Sequence, residues 1–380
     1  MRVELVKRPQ HSALFSALSP FIALGLTLVA GAIMFSLLGK NPFEALYYYF
    51  IDPITGIWDP GNRWQLHELA IKAAPLILIA VGLSVCYLSN NWNIGAEGQF
   101  VAGAIAGSFI PVVFPGFQNW ATLPLMLIFA MAGGAAYASI PAFLKVRFNT
   151  NEILTSLMLV YVAQLFNDWL VRGIWRNPEG MSFPGTVRFH DYAILPQIWP
   201  DAGRAHWGFI FALVAAVAVW FMLSKTLRGF EVKVLGQSPR AGRFAGFSSG
   251  KMVFFAFLLS GALAGLAGIS EVAGPIEHLN EKISIGYGFT AIIVAFLGRL
   301  NPLGIVAAGL ILALTYLGGE AAQISMQVSD KTVRAFQGML LFFVLACDTL
   351  IHYRIRFVGQ PARASAPVTA KPAGEAAHHV

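Results

Sequence analysis

Apolar runs of about 18–20 residues recur along this chain, close to the length a helix needs to cross the hydrocarbon core of a bilayer. No water is available there to satisfy backbone N–H and C=O groups, so each run must close its own hydrogen bonds as a helix. We place ten spans, at 18–38, 71–88, 100–114, 123–144, 153–171, 208–223, 252–269, 289–297, 303–317 and 335–351. The expected fold is an all-α membrane protein, a polytopic bundle of about ten transmembrane helices. Charged residues make up only 12% of the chain, against roughly 25% in soluble domains. No stretch between the runs is rich enough in apolar residues for a separate core. The expected organisation is a cytoplasmic N-terminus at 1–17, a transmembrane domain at 18–351 and a disordered, Ala/Pro-rich cytoplasmic tail at 352–380. The run behind Arg2, Lys7 and Arg8 is long enough to be kept as a first span rather than removed as a signal peptide.

The placement of charge sets the orientation. The net charge of +7 lies in short segments beside spans, not in the patch that a nucleic-acid partner would require. With the N-terminus inside, most of the 26 Lys and Arg fall on that side, as the positive-inside rule asks. The same alternation puts 149–152, 225–251, 298–302 and the polar stretch 89–100 inside, or dipping in from that side. The loops 172–207 and 270–288 then face outside. Trp58, Trp64 and the tyrosines at 47–49 mark 41–63 as an interfacial segment.

The stretch 89–100, Ser-Asn-Asn-Trp-Asn-Ile-Gly-Ala-Glu-Gly-Gln-Phe, interrupts an otherwise apolar sequence. Polar groups at membrane depth are costly unless they are paired or face a wet path. It is either a cytoplasmic turn with an unusual helix start or a broken-helix element beside a permeation path. Asn93, Glu97 and Gln99 are the candidates for a path, hinge or gate, with a structural role at span ends as the alternative. Trp92 and Phe100 offer faces for a planar base or serve as interfacial anchors. Asn-Thr-Asn-Glu at 149–152 can cap the following helix, and Asn151 and Thr155 are secondary candidates. Glu271 and Glu320 read as outer-end charges, either solvated or facing the basic residues of an external protein. The run 289–297 is short for a crossing and is interrupted by Gly-Arg-Leu-Asn-Pro at 298–302.

Other chemistries are excluded. Gly246-Phe-Ser-Ser-Gly250-Lys251 comes near a phosphate loop, but the spacing is one residue short and Met252 stands where Ser or Thr is required. Cys86 and Cys347 lie in apolar runs and form no metal or redox motif. Residues 225–251 are basic, rich in glycine, and too polar to span. Ser238-Pro239 supplies an N-cap and a first-turn proline for a short helix that Gly246 can end. Such a helix suits docking into a partner's groove, or is a plain juxtamembrane loop.

Four stretches carry a resemblance. Asn93-Ile-Gly-Ala-Glu97-Gly-Gln99 resembles the N-x-G-x-E-G-Q motif of ABC uptake permeases in the ribose, nucleoside and branched-chain amino acid superfamily. Residues 149–159 resemble the next landmark of its nucleoside/simple-sugar branch. Residues 229–246 resemble the family's cytoplasmic loop, with Gly236, Pro239, Ala241 and Gly246 in the expected places, and 286–304 resemble the fourth landmark. The resemblance implies a type II ABC importer-like permease in the cell (inner) membrane with both termini cytoplasmic. It implies a second permease subunit, ATP-binding subunits beneath and an external solute-binding protein. No cofactor is expected on this chain, since the partner subunits bind ATP. The loop at 231–248 becomes the coupling element, with Gly236, Pro239, Arg240, Ala241, Arg243 and Gly246 receiving the ATPase stroke. The implied cargo is a nucleoside or related purine. A simple-sugar importer subunit, a stand-alone ion-coupled transporter and a non-transport scaffold are the rivals.

Overall fold

The computed structural model describes residues 2–7, 13–58, 64–180, 183–199, 203–283 and 285–358, and within them the chain is nearly all helix. α1 (Ala13–Leu37), the short α2 (Pro42–Leu46) and α3 (Asp52–Trp58) precede α4 (Trp64–Leu88), whose apolar window is 94% buried. A helix that is apolar on every face belongs in the middle of a bundle, and α4 is the centre here. Around it come α5 (Ala96–Val113), α6 (Thr122–Phe148), α7 (Glu152–Arg172) and α8 (Gly208–Lys225). Next are the short α9 (Leu227–Gln237) and α10 (Pro239–Phe244), α11 (Ser249–Glu271), the half-length α12 (Tyr287–Leu297), α13 (Pro302–Met326) and α14 (Asp330–His352). α4 packs directly on α8, α11, α12 and α13. α6, α7 and α8 keep only 22% to 28% of their apolar windows inside, so their remaining apolar faces point away from this chain's core.

Seven helices are long and apolar enough to cross a membrane: α4, α5, α6, α7, α8, α13, and α11 with the π-helical turn that extends it to Ile276. Gly25–Leu37 and Tyr287–Leu297 are shorter apolar helices. The expected count of about ten is not reached by this measure among the described residues. Helix starts also differ from expectation. α4 begins seven residues before the run at 71–88, and α13 continues past 317 to Met326.

Close backbone approach holds the centre together. A methyl group on Gly103 of α5 would lie 2.1 Å from Gly265 Cα of α11, so the two helices touch without intervening side chains, as small-residue packing in lipid permits. At the ends of the described chain, β1 (Arg2–Lys7) pairs antiparallel with β2 (Tyr353–Val358), Arg2 opposite Val358. Residues 353–358, which the tail reading included, therefore form a strand. The rest of the expected tail, 359–380 with His378 and His379, lies outside the described residues.

Candidate functional site

α4 ends at Leu88, Asn90 takes a left-handed turn, and the chain re-enters the bundle in extended form before α5 starts at Ala96. The depth of this re-entry is set by α12. Its 11 residues span about 16 Å at 1.5 Å per residue. Near its C-terminus, Phe296 stacks on Tyr87 at 5.1 Å and on Trp92 at 6.1 Å. At its N-terminus, the Glu97 carboxylate accepts hydrogen bonds from Gly286 N at 2.9 Å and from Gly288 N. Between Trp92 and Glu97 the chain has thus climbed the length of α12. A fully buried carboxylate meets the free N–H groups and positive end of a helix that starts inside the bundle.

The neighbouring amides are paired as completely. Asn93 Nδ2 donates to Gln99 Oε1 at 3.0 Å and to Ser260 Oγ at 3.1 Å, and Gln99 Nε2 donates back to Asn93 Oδ1 at 3.0 Å. Tyr87 donates to Asn93 O, and Ser156 Oγ accepts from Ile94 N at 3.2 Å. Asn93 and Gln99 therefore tie the start of α5 to α11 through Ser260, while Glu97 ties it separately to α12. Asn151 and Thr155 stand apart from both ties. Asn151 caps α7 by accepting from Ile153 N at 2.9 Å, and the Thr155 hydroxyl donates to Asn151 O at 3.1 Å. Their neighbour Glu152 pairs with Lys145, which also donates to Asn91 Oδ1 at 2.8 Å. Phe100 is fully enclosed, 6.2 Å from the Tyr287 ring, while Trp92 is 41% exposed.

The basic loop forms two short helices seated on the same end of the bundle. A side chain on Gly236 would strike Leu88 O at 1.8 Å, so α9 rests against the last turn of α4. Ser238 caps α10 by accepting from Ala241 N, Pro239 occupies its first turn, and Gly242 packs on Leu235. Pro239, Arg240, Ala241, Arg243 and Gly246 are all exposed, and Gly246 has a φ of 84° with open space around it. The residue that sequence reasoning missed is Phe244, a large apolar side chain that is 94% exposed at the end of α10. An aromatic set between arginine and alanine in a polar loop is the signal that marks it.

The opposite end is closed by charge and by loops. Glu68 pairs with Arg204 and Lys72 with Glu320, both at 2.6 Å. Arg172 meets Asp168 and Glu281, and Arg188 meets Glu277. Phe189 N donates to Glu277 O and Leu195 N to Ala273 O, sewing the 183–199 loop to the 273–281 loop. Glu271 is not a solvated loop charge, whereas Glu320 stays exposed on α13. Glu271 is buried at the end of α11, and α13 carries Glu320 onto Lys72. Glu68 and Lys72 were also missed. The signal was an acidic and a basic residue at helical i, i+4 spacing at the head of an apolar run.

A family model described as branched-chain amino acid transport system / permease component matches residues 65–345. The glucose ABC transporter permease protein TsgB13 of Haloferax volcanii is 34% identical over 93% of this chain and 94% of its own length. The guanosine ABC transporter permease protein NupP of Bacillus subtilis is 31% identical over 93% and 97%. The nucleoside ABC transporter permease protein NupB of Lactococcus lactis is 28% identical over 86% and 90%.

Proposed function

The chain belongs to the branched-chain amino acid transport system / permease component family, and from that premise we propose that it imports nucleosides or related purines. It is a multi-pass permease subunit of an ABC importer in the cell membrane, and partners of that class include an ATP-binding subunit and a solute-binding protein. The observation that carries the cargo reading is the similarity, over most of each chain, to a guanosine permease and a nucleoside permease. The glucose permease at 34% identity favours a simple sugar as the second reading. In either case a second, different permease subunit completes the path, and ATP is hydrolysed on the partners.

Coupling falls to α9 and α10. The exposed face made by Pro239, Arg240, Ala241, Arg243 and Gly246 meets the ATP-binding subunit. Gly236 and the end of α4 form the rigid seat through which that subunit's motion reaches the centre of the bundle. Helices then rearrange between inward-open and outward-open states, and Asn93, Glu97 and Gln99 act at the hinge where α5 and α12 meet. Asn151 and Thr155 serve the start of α7 beside that hinge. The charge distribution supports placing this end and both chain termini in the cytoplasm.

The test is ATP-driven uptake by the assembled complex in proteoliposomes, with guanosine and glucose as alternative cargoes. Arg240→Ala and Gly246→Val should lose uptake while the complex assembles and hydrolyses ATP. Normal transport by both variants would sink the coupling assignment, and uptake of glucose alone would replace the nucleoside reading by the sugar one.

A further inference from the structure

Beside the Glu97 cap, polar side chains line one seam between α4, α11, α12 and α13. Thr290 Oγ1 lies 2.9 Å from Tyr316 OH, the Tyr316 and Tyr287 rings are 6.0 Å apart, and Lys72 meets Glu320. Lys72 is eight residues into α4, about 12 Å from its start, and such charges at depth persist where they are paired or line a wet path. Side-chain exposure falls from 47% at Glu320 to 12% at Lys72, which connects the seam to the outer end of the bundle. Glu271 stands at its inner wall, within electrostatic reach of Lys72, Glu68 and Arg204. Its residue is 8% exposed, and its Oε2 is buried with no hydrogen-bond partner among the described residues. The hydroxyl of Tyr49, within reach of Tyr316, is likewise buried and unpartnered.

Unpaired buried polar atoms are expensive, and native proteins keep few of them. Here two, on separate elements, flank a seam that already carries tyrosine faces and a lysine. We propose that this seam holds an uncharged, hydroxyl-rich solute in transit, with Glu271 accepting from its hydroxyl groups and Tyr316 and Tyr49 completing the contacts. The charge balance fits a neutral cargo: three carboxyl side chains (Glu68, Glu271 and Glu320) face two cations (Lys72 and Arg204), which gives no net attraction for a phosphorylated solute. The tyrosine rings offer apolar faces to the ring of a nucleoside or hexose. This inference rests on the importer reading and adds the residues that contact the cargo.

The experiment measures solute moved per ATP hydrolysed in the reconstituted complex, using tritiated guanosine and, in parallel, labelled glucose. Glu271→Gln and Tyr316→Phe change almost no volume. In each, the ratio should fall about ten-fold for the transported solute, as expected for losing one strong hydrogen bond in the path. Assembly and hydrolysis stimulated by the loaded binding protein should stay within about two-fold of the unsubstituted complex. An unchanged ratio in both variants overturns the inference alone, and so does failure of Glu271→Gln to assemble, which makes that residue structural. An unsubstituted complex that moves neither solute overturns the cargo reading, and this inference with it.

Discussion

Glu97 shows why the chain tolerates a carboxylate where hydrophobicity should continue. α12 starts inside the bundle, so its first N–H groups have no water to meet, and Glu97 supplies the acceptor. Replacing it by alanine leaves those donors buried and unsatisfied. Glu97→Ala should cost about 2–4 kcal/mol, read as a lower melting temperature of the purified protein, with Glu97→Gln intermediate. A variant that melts with the parent would remove the capping role. The polarity of this stretch was legible in the sequence, because an uncompensated carboxylate there would be prohibitive. Its partner was not: the contact runs to backbone N–H groups 189 residues away, and a backbone donor leaves no mark on a pattern of side chains. For the same reason Asn151 and Thr155 look functional in sequence but close locally on α7.

At the scale of elements, the apolar pattern located the crossing helices well and their ends less well. The expected span starts at 71, behind Glu68, and takes in Lys72. The helix begins at Trp64 because Arg204 and Glu320, distant in sequence, neutralise those two charges. Hydropathy counts the cost of a charge and is blind to compensation supplied from elsewhere. α10 was legible in full, from the Ser238 cap and Pro239 at its start to Gly246 beyond its end, because capping chemistry is local. Its most exposed residue carries a prediction of its own. Phe244 is an aromatic anchor on a basic surface, the type that dominates protein interfaces. Phe244→Ala should weaken binding of the ATP-binding subunit by about 2 kcal/mol, roughly thirty-fold, in a titration of the purified subunits. The fold should be unaffected, since the side chain touches little of its own protein. Unchanged affinity would place the contact elsewhere.

Across the whole molecule, the stretches at 89–100, 149–152 and 225–251 share one end of the bundle. Leu88 abuts α9, Lys145 links Glu152 to Asn91, and Phe296 stacks on Trp92. The other end is held partly by His206, just ahead of α8, whose Nδ1 accepts from Gly208 N at 3.1 Å. Burial pushes its imidazole down from the ordinary 6.5 to about 4. Below pH 6.5 the unfolded chain takes up a proton that the folded chain refuses. Stability should therefore fall as pH drops from about 6.5 toward 4, by on the order of 3 kcal/mol in full. Melting temperatures between pH 7.5 and 4.5 should decline less steeply for His206→Asn than for the parent, and superimposable curves would rule out this contribution.

The pairing of β1 with β2 imposes a rule of parity. Two strands hydrogen-bonded to each other lie on one side of any membrane, so the chain between Lys7 and Tyr353 must cross it an even number of times. Seven is odd. If all seven of those helices cross, an odd number of α1, α12 and α14 crosses as well, and the described chain makes eight or ten crossings.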